Sequence, residues 1–160
     1  METLELVGLT VLVGLLAGWL TLGAIENIRF PEVNRALVRD VLSMSRVAEE
    51  QPQIYALTKG NRITSDVLHR RLFAAIVAVE CIAAAVLIWG TVALGLAALG
   101  LADARHARIT AGAGTILFPL IWGAFLVGGQ WVHYWAAWKD SQFTHYFMTL
   151  WGAVTFFART

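Results

Sequence analysis

The sequence predicts an all-α fold, a polytopic membrane four-helix bundle with an amphipathic interfacial helix in the first loop. Of the 160 residues, 58% are hydrophobic and only 14% are charged, whereas soluble domains carry about 25% charged residues. Long apolar runs recur along the chain, and one long polar segment separates the first run from the second. The length fits a single transmembrane domain covering residues 1–160.

The apolar runs are the predicted membrane spans. The first has 22 residues with a single charge, Glu5, and would reach about 33 Å as a helix, enough to cross a hydrocarbon core of about 30 Å. The second run exceeds one crossing, which predicts either tilt or an extension that ends at Gly95 or Gly100. The third contains Pro119, and the fourth is the shortest. The predicted spans cover about 4–25, 72–96, 109–131 and 143–158.

The polar segment 26–71 holds eight of the twelve basic and six of the eleven acidic residues. Pro31 suits the first position of a helix. Apolar residues then recur every three or four positions, which predicts an amphipathic interfacial helix over about 31–46. Thr64, Ser65 and Asp66 are candidate N-caps for the second span. The apolar positions of the loop helix are Val33, Leu37, Val41 and Met44.

Four spans put both termini on one side of the membrane and the long loop on the other. The loop side carries nine Lys and Arg residues, and the terminal side carries Arg105, Arg108 and Arg159. This count favours a cytoplasmic long loop. The near balance of charge within that loop and the shortness of the turn at 103–108 favour the opposite orientation, so the two criteria disagree.

Glu80 is the sharpest single feature, because it lies about 12 Å along the helix from Leu72, inside the second apolar run. A carboxyl group there must face the bundle or a polar cavity. One hypothesis is a proton relay or ion site. The other is a structural hydrogen bond to a neighbouring helix or subunit, with Thr110 and Thr115 as candidate partners. Since no second ionisable residue lies deep in a span, a relay lacks its next step, and the structural hypothesis is favoured.

Three histidines near span ends, His69, His133 and His145, are candidate cofactor-binding residues. A buried imidazole is a common haem ligand, so contact with a haem, a bacteriochlorophyll or carotenoid, or a quinone is the expectation to test. The lone Cys81 and the absence of HExxH or CxxCH spacing give no metal site.

Aromatic and small residues carry further predictions. Trp131, Trp135 and Trp138 lie beside Lys139 and Asp140, a pattern typical of anchors at the membrane interface. Two small-residue steps permit close helix approach, by default within the bundle. They are Gly14 with Gly18 on the first span and Ala124 with Gly128 on the third.

No catalytic motif is present: the sequence lacks a P-loop, a Rossmann fingerprint, a G-x-S-x-G elbow and a paired carboxylate. We therefore expect that the protein is not an enzyme and acts on no soluble substrate. A net charge of +1 and basic residues without interleaved aromatics also argue against nucleic acid as a partner.

Several motifs resemble a family of small predicted four-helix integral membrane proteins of unknown function from proteobacteria. They run across nearly the whole chain, and the resemblance implies four spans but no activity. An acidic N-terminus and a basic first loop depart from the family, so no orientation is carried over. The matching residues are Asn27, Val41–Met44, Leu68–His69, Glu80, Trp122, Gly128–Trp131 and Trp135.

These observations predict a non-catalytic accessory or structural subunit of a larger membrane assembly. The expected assembly is a bioenergetic complex, either a photosynthetic light-harvesting–reaction-centre core or a respiratory complex, in the bacterial inner membrane. Its partners would be the lipid bilayer and other membrane subunits. The alternative is a small transporter, channel or haem-, pigment- or quinone-binding protein that uses Glu80 and the histidines.

Overall fold

The computed structural model describes residues 1–158, and all regular structure among them is helical. Three helices are long and apolar enough to cross a membrane: α1 (Glu2–Arg29), α5 (Asp66–Ala98) and α6 (Ala104–Trp131). A fourth long helix, α7, covers Lys139–Phe157. The polar loop folds into α2 (Pro31–Ser43), α3 (Ser45–Glu50) and α4 (Pro52–Thr58), followed by a 3₁₀ turn at Lys59–Asn61. Arg159, counted above for orientation, lies outside the described residues.

Helix ends follow the capping signals of the sequence. Ser65 is the N-cap of α5, and its hydroxyl accepts a hydrogen bond from the backbone N–H of Leu68. At the other end, Gly100 adopts φ +74, and the Leu101 N–H bonds the Leu96 carbonyl at 2.9 Å. This is a Schellman motif, which satisfies the last carbonyls of the helix. The long second apolar run is therefore one helix of 33 residues, about 50 Å in length.

The bundle is built around α5, which packs against α1 on one side and α6 on the other, while α7 packs against α6. The helices approach each other most closely at glycines. A Cβ on Gly90 would lie 2.7 Å from the Cα of Ala111, and one on Gly114 would lie 3.0 Å from the Cα of Leu87. The contact of α6 with α7 also needs a glycine, because a Cβ on Gly152 would lie 2.6 Å from the Pro119 Cδ. The α5–α6 interface therefore requires its glycines.

The loop helices close one end of the bundle and form a second apolar core. Residues of the loop pack against the connection between α6 and α7, and the amide of Asn61 donates to the Trp131 carbonyl at 2.9 Å. We call this core the cap. Its buried members are Met44, Val47, Val132, Tyr134, Ala136, Ala137 and Trp138.

The predicted loop helix over 31–46 is too long, because α2 ends at Ser43. Met44 follows in the left-handed region with φ 56, and its side chain is fully buried in the cap. The four apolar positions predicted for the loop helix therefore have two different environments. Val33 and Leu37 stay exposed, whereas Val41 and Met44 pack into the cap.

Gly90→Ala is expected to lower the free energy of unfolding by about 1–3 kcal/mol, because the added methyl overpacks against the α6 backbone. Gly23→Ala on α1 is the control, since a Cβ there meets nothing within 4 Å and alanine is the better helix former. Thermal unfolding in mild detergent, followed by circular dichroism, measures both. Equal stability of the two variants would contradict the α5–α6 packing described here.

Met44→Ala is expected to loosen the cap locally, since truncation of a buried methionine costs about 2–5 kcal/mol. Hydrogen–deuterium exchange should become faster in α3 and α4 while α5 and α6 keep their protection. Leu57→Ala is the control, because Leu57 is 88% exposed and should change little. Uniformly faster exchange across all helices would show that the cap is not a separate unit.

Candidate functional site

Glu80 heads a chain of three buried or half-buried polar side chains. Its Oε2 accepts a hydrogen bond from the Asn27 amide at 2.7 Å, and the Asn27 Oδ1 accepts one from the Asn34 amide at 2.6 Å. Glu80 and Asn27 are both more than nine-tenths buried. These two hydrogen bonds join α5 to the end of α1 and to α2, and we call the three linked side chains the polar chain.

The register of α1 against α5 explains the depth of Glu80. Along the antiparallel pair, Thr10 lies beside Gly95 and Gly14 lies beside Thr91, so Asn27, two residues before the end of α1, comes level with Glu80. Glu80 is eight residues into its own apolar run, yet it faces the polar end of the neighbouring helix. The segment of α5 before Glu80 extends beyond α1.

The candidate partners Thr110 and Thr115 do not bind Glu80. Their hydroxyls donate to carbonyls of their own helix, those of His106 and Gly112. The partner is an amide instead. An amide donates a proton in a hydrogen bond but does not readily pass it on, so the described contacts of Glu80 suit a structural link better than a proton relay.

The histidines near the cap have separate surroundings. His69 is buried, and its Nε2 lies 2.8 Å from the Ile63 carbonyl. Its Nδ1 has no hydrogen-bond partner and lies 3.8 Å from the Asp66 carboxylate. His133 sits in the left-handed region beside the ring of Trp135. No group of three or more His, Cys, Asp or Glu side chains suited to a metal occurs in the described part of the chain.

His145 on α7 is held by aromatic rings. Its imidazole centroid lies 5.6 Å from that of Trp122, 5.1 Å from that of Phe125 and 6.0 Å from that of Tyr134. The Tyr134 hydroxyl lies 3.4 Å from the His145 Nδ1. Burial, with a smaller contribution from Tyr146, raises the pKa of Tyr134 to about 12. The phenol is protonated at neutral pH, and the tautomer of His145 decides which of the two groups donates in this long contact.

The predicted tryptophan anchors differ in exposure. Trp131 is 61% exposed, as an anchor requires, and Trp135 is half-buried. Trp138 is only 6% exposed and packs within the cap, with the Arg46 guanidinium 6.0 Å from its ring centroid. A side chain buried against protein cannot reach the headgroups, so the anchor prediction is wrong for Trp138.

The two predicted small-residue steps face different surroundings. Ala124 and Gly128 are exposed, and a Cβ on Gly128 meets nothing within 4 Å. In the described part of the chain that step therefore faces outward, which corrects the default prediction of a contact within the bundle. A Cβ on Gly14 would lie 3.3 Å from the Thr91 Cγ2, whereas one on Gly18 meets nothing within 4 Å.

Gly14 and Gly18 open a groove between α1 and α5 on the outer surface of the bundle, with a volume of ≈ 500 Å³. The space exists because the glycines of α1 have no side chains, and most of the atoms around it are apolar. The hydroxyl of Thr21 is buried at the groove and has no hydrogen-bond partner among residues 1–158. The groove is lined by Gly14, Ala17, Gly18, Thr21, Leu22, Ile88, Thr91 and Val92.

Sequence reasoning missed the partners of Glu80. Asn27 appeared only among the residues that carry the family resemblance, and Asn34 was not singled out. A signal was present, because an up-down topology puts the end of the first span opposite the start of the second. The contact glycines Gly90, Gly114 and Gly152 were also missed, since they form no G-x-x-x-G step.

The family model described as predicted small integral membrane protein (DUF2165) matches residues 6–158. No curated protein and no solved structure matches the chain. The match extends over all three candidate spans, α7 and the cap.

A pair of substitutions at Glu80 tests whether its role is structural. Glu80→Gln keeps an oxygen acceptor for Asn27 at nearly the same volume and should change the free energy of unfolding little. Glu80→Leu leaves the buried Asn27 amide without its acceptor and should cost about 1–3 kcal/mol. Thermal unfolding in detergent compares them. If Glu80→Gln proves as damaging as Glu80→Leu, the carboxylate has a role beyond this hydrogen bond.

Proposed function

Because the chain belongs to the family of predicted small integral membrane proteins (DUF2165), we propose that it acts as a non-catalytic accessory subunit of a larger membrane assembly. The observation that carries the proposal is the groove between α1 and α5. Its proposed occupant is a transmembrane helix of a partner subunit. The polar chain, in this view, keeps the groove-forming helices α1 and α5 in register.

The groove has two properties that favour a helix as its occupant. Between membrane helices the hydrophobic effect is absent, and association depends on close backbone approach and on interhelical hydrogen bonds. Gly14, Ala17 and Gly18 permit that approach from α1. The unpartnered hydroxyl of Thr21 would gain an acceptor from a carbonyl or polar side chain of the partner. A lipid acyl chain could fill the space but could not satisfy the hydroxyl.

We propose that α7 is the fourth span and that α2 lies at the membrane interface. The 19 residues of α7 are about 28 Å long, and their apolar part from position 143 onward is about 22 Å, so α7 would cross the membrane where the bilayer is locally thin. Its outward face is apolar, which suits contact with lipid or another subunit. The exposed side chains of that face are Phe143, Tyr146, Phe147, Leu150, Val154 and Phe157. On α2, exposed Val33 and Leu37 would dip into the headgroup region.

A bioenergetic complex of the bacterial inner membrane is the class of assembly that we propose to test first, either a photosynthetic light-harvesting–reaction-centre core or a respiratory complex. The aromatic-rich spans support this choice, because exposed aromatic side chains such as Trp89 and Phe147 suit contact with the ring-bearing cofactors of neighbouring subunits.

Gly18→Leu is the decisive variant, because the new side chain fills the groove without meeting an atom of the chain within 4 Å of its Cβ. The wild-type protein, purified from native membranes in mild detergent, should bring defined membrane subunits with it, as identified by mass spectrometry. Purification of the Gly18→Leu variant should recover at most about one-tenth of these subunits. The leucine prevents close helix packing, and a loss of about 1.4 kcal/mol in binding free energy lowers the affinity tenfold.

Gly8→Leu on the same helix is the matched control, because Gly8 also has open space around it but lies outside the groove. It should keep the partners. A chain that purifies only as a monomer, or equal recovery of partners with both variants, would contradict the proposal. A visible absorption spectrum of the same material tests the alternative of a bound haem or pigment.

A further inference from the structure

A second cleft lies at the cap end, between α2 and the first turn of α5, with a volume of ≈ 280 Å³. A single water needs about 10–15 Å³ of such space, so a much larger polar group fits. The cleft carries three arginines and two carboxylates. We call it the α2–α5 cleft, and its lining residues are Glu32, Arg35, Ala36, Arg39, Asp66, His69 and Arg70.

The three arginines of the cleft outnumber its two carboxylates, and two of the arginines make no hydrogen bond to a carboxylate in the described part of the chain. Glu32 is neutralised by Arg35, whose guanidinium donates to both carboxylate oxygens at 2.5 and 2.6 Å. Arg39 forms an ion pair with Asp40 at 3.8 Å, which is beyond hydrogen-bond distance, and the Asp66 carboxylate has His69 as its partner at 3.8 Å. Arg70 makes no hydrogen bond or ion pair in the described part of the chain. Arg39 and Arg70 thus offer planar guanidinium groups that match the oxygens of a phosphate.

His69 supplies an independent sign that the cleft is built for a ligand. The ring is 4% exposed, and its Nε2 must donate to the Ile63 carbonyl, because a carbonyl oxygen only accepts. In the neutral ring Nδ1 is then an acceptor, yet it has no hydrogen-bond partner. It faces Asp66, another lining residue, at 3.8 Å. A buried acceptor without a donor is costly, and a ligand hydroxyl in the cleft would satisfy it.

The surroundings of the cleft point to a lipid. On α2 the lining positions 32, 35, 36 and 39 form one face, and the exposed apolar residues Val33 and Leu37 lie on the adjacent face. Exposed Phe30 precedes them, and α5 enters its apolar run directly below the cleft. A phosphate held at this place would have its acyl chains along an apolar surface.

We propose that the α2–α5 cleft binds the phosphate of an anionic phospholipid whose headgroup carries a hydroxyl, with Arg39 and Arg70 on the phosphate and the His69 Nδ1 on the hydroxyl. Phosphatidylglycerol has this chemistry and is the probe. Free inorganic phosphate shares the anionic group, so it serves as the second ligand in the test.

The most direct variant pair is Ala36→Glu and Ala36→Gln. Ala36 lines the cleft from an exposed helical position, and the two new side chains have nearly the same shape and differ in charge. Native mass spectrometry of the detergent-purified protein measures phosphatidylglycerol binding. Ala36→Glu should weaken it at least about tenfold by repelling the phosphate, and Ala36→Gln should leave it within about twofold.

A second pair removes the cations. Arg39→Gln with Arg70→Gln should weaken binding by about tenfold or more. The control is Arg29→Gln with Arg71→Gln, which removes the same charge from neighbouring positions outside the cleft. Circular dichroism and gel filtration establish that all variants are folded. Equal lipid binding by test and control variants in both pairs would overturn the proposal.

Inorganic phosphate and phosphatidylcholine separate the sources of the phosphate group. If phosphate at millimolar concentration competes with phosphatidylglycerol, the cleft recognises the phosphate without its acyl chains, and free phosphate is a ligand. If it does not compete, the lipid is the ligand. Phosphatidylcholine binding as strong as that of phosphatidylglycerol, and insensitive to Ala36→Glu, would contradict recognition of an anion.

Discussion

The hydrogen bond between the Asn27 amide and the Glu80 carboxyl joins the end of α1 to α5 at a level where both side chains are shielded from solvent. In an apolar environment a polar group without a partner is costly, so this pair penalises any displacement of α1 along α5. Gly14 beside Thr91 and Thr10 beside Gly95 lie in the same register. The position of α1, and with it the shape of the groove, therefore depends on this pair.

The same chain of hydrogen bonds extends from Asn27 to Asn34 and so reaches the loop helices. Asn34 orients α2, and α2 carries one wall of the α2–α5 cleft. Beyond Met44 the loop turns back and buries its apolar side chains against the α6–α7 connection. A buried carboxyl, a surface cleft and the cap are thus linked through α2. The proposed binding of lipids and other subunits would use surfaces that these contacts shape.

The sequence was sufficient for those parts of the fold that depend on local composition. The free energy of burying an apolar run in lipid is a sum over residues, so the first three predicted spans correspond to α1, α5 and α6, the helices long and apolar enough to cross a membrane. The N-cap at Ser65 followed from local hydrogen bonding, and Gly100 marks the turn after α5. The boundary at Ser43 was missed, because Met44 adopts a left-handed conformation that only its burial in the cap explains.

Features that depend on the rotation and register of helices were not predictable in this way. Asn27 and Glu80 are 53 positions apart, and only the packing of α1 on α5 makes them partners. Gly128 looked like a contact residue, yet Gly114 and Gly152 take that role, because Gly114 on α6 faces α5 and Gly152 on α7 faces α6. The residues beside Trp138 are typical of an interface anchor. The local sequence does not show that the loop folds over this side chain and buries it. The groove between α1 and α5 and the α2–α5 cleft are the basis of the two functional proposals, and both depend on the same non-local packing.

The central claim is that Asn27 and Glu80 are energetically coupled, and a double-mutant cycle measures this directly. Asn27→Ala, Glu80→Ala and the double variant are compared by their free energies of unfolding in mild detergent. Hydrogen-bonded partners should show a coupling energy of about 0.5–3 kcal/mol. Additive effects, within about 0.3–0.5 kcal/mol, would mean that the two side chains do not fix the register of α1 and α5.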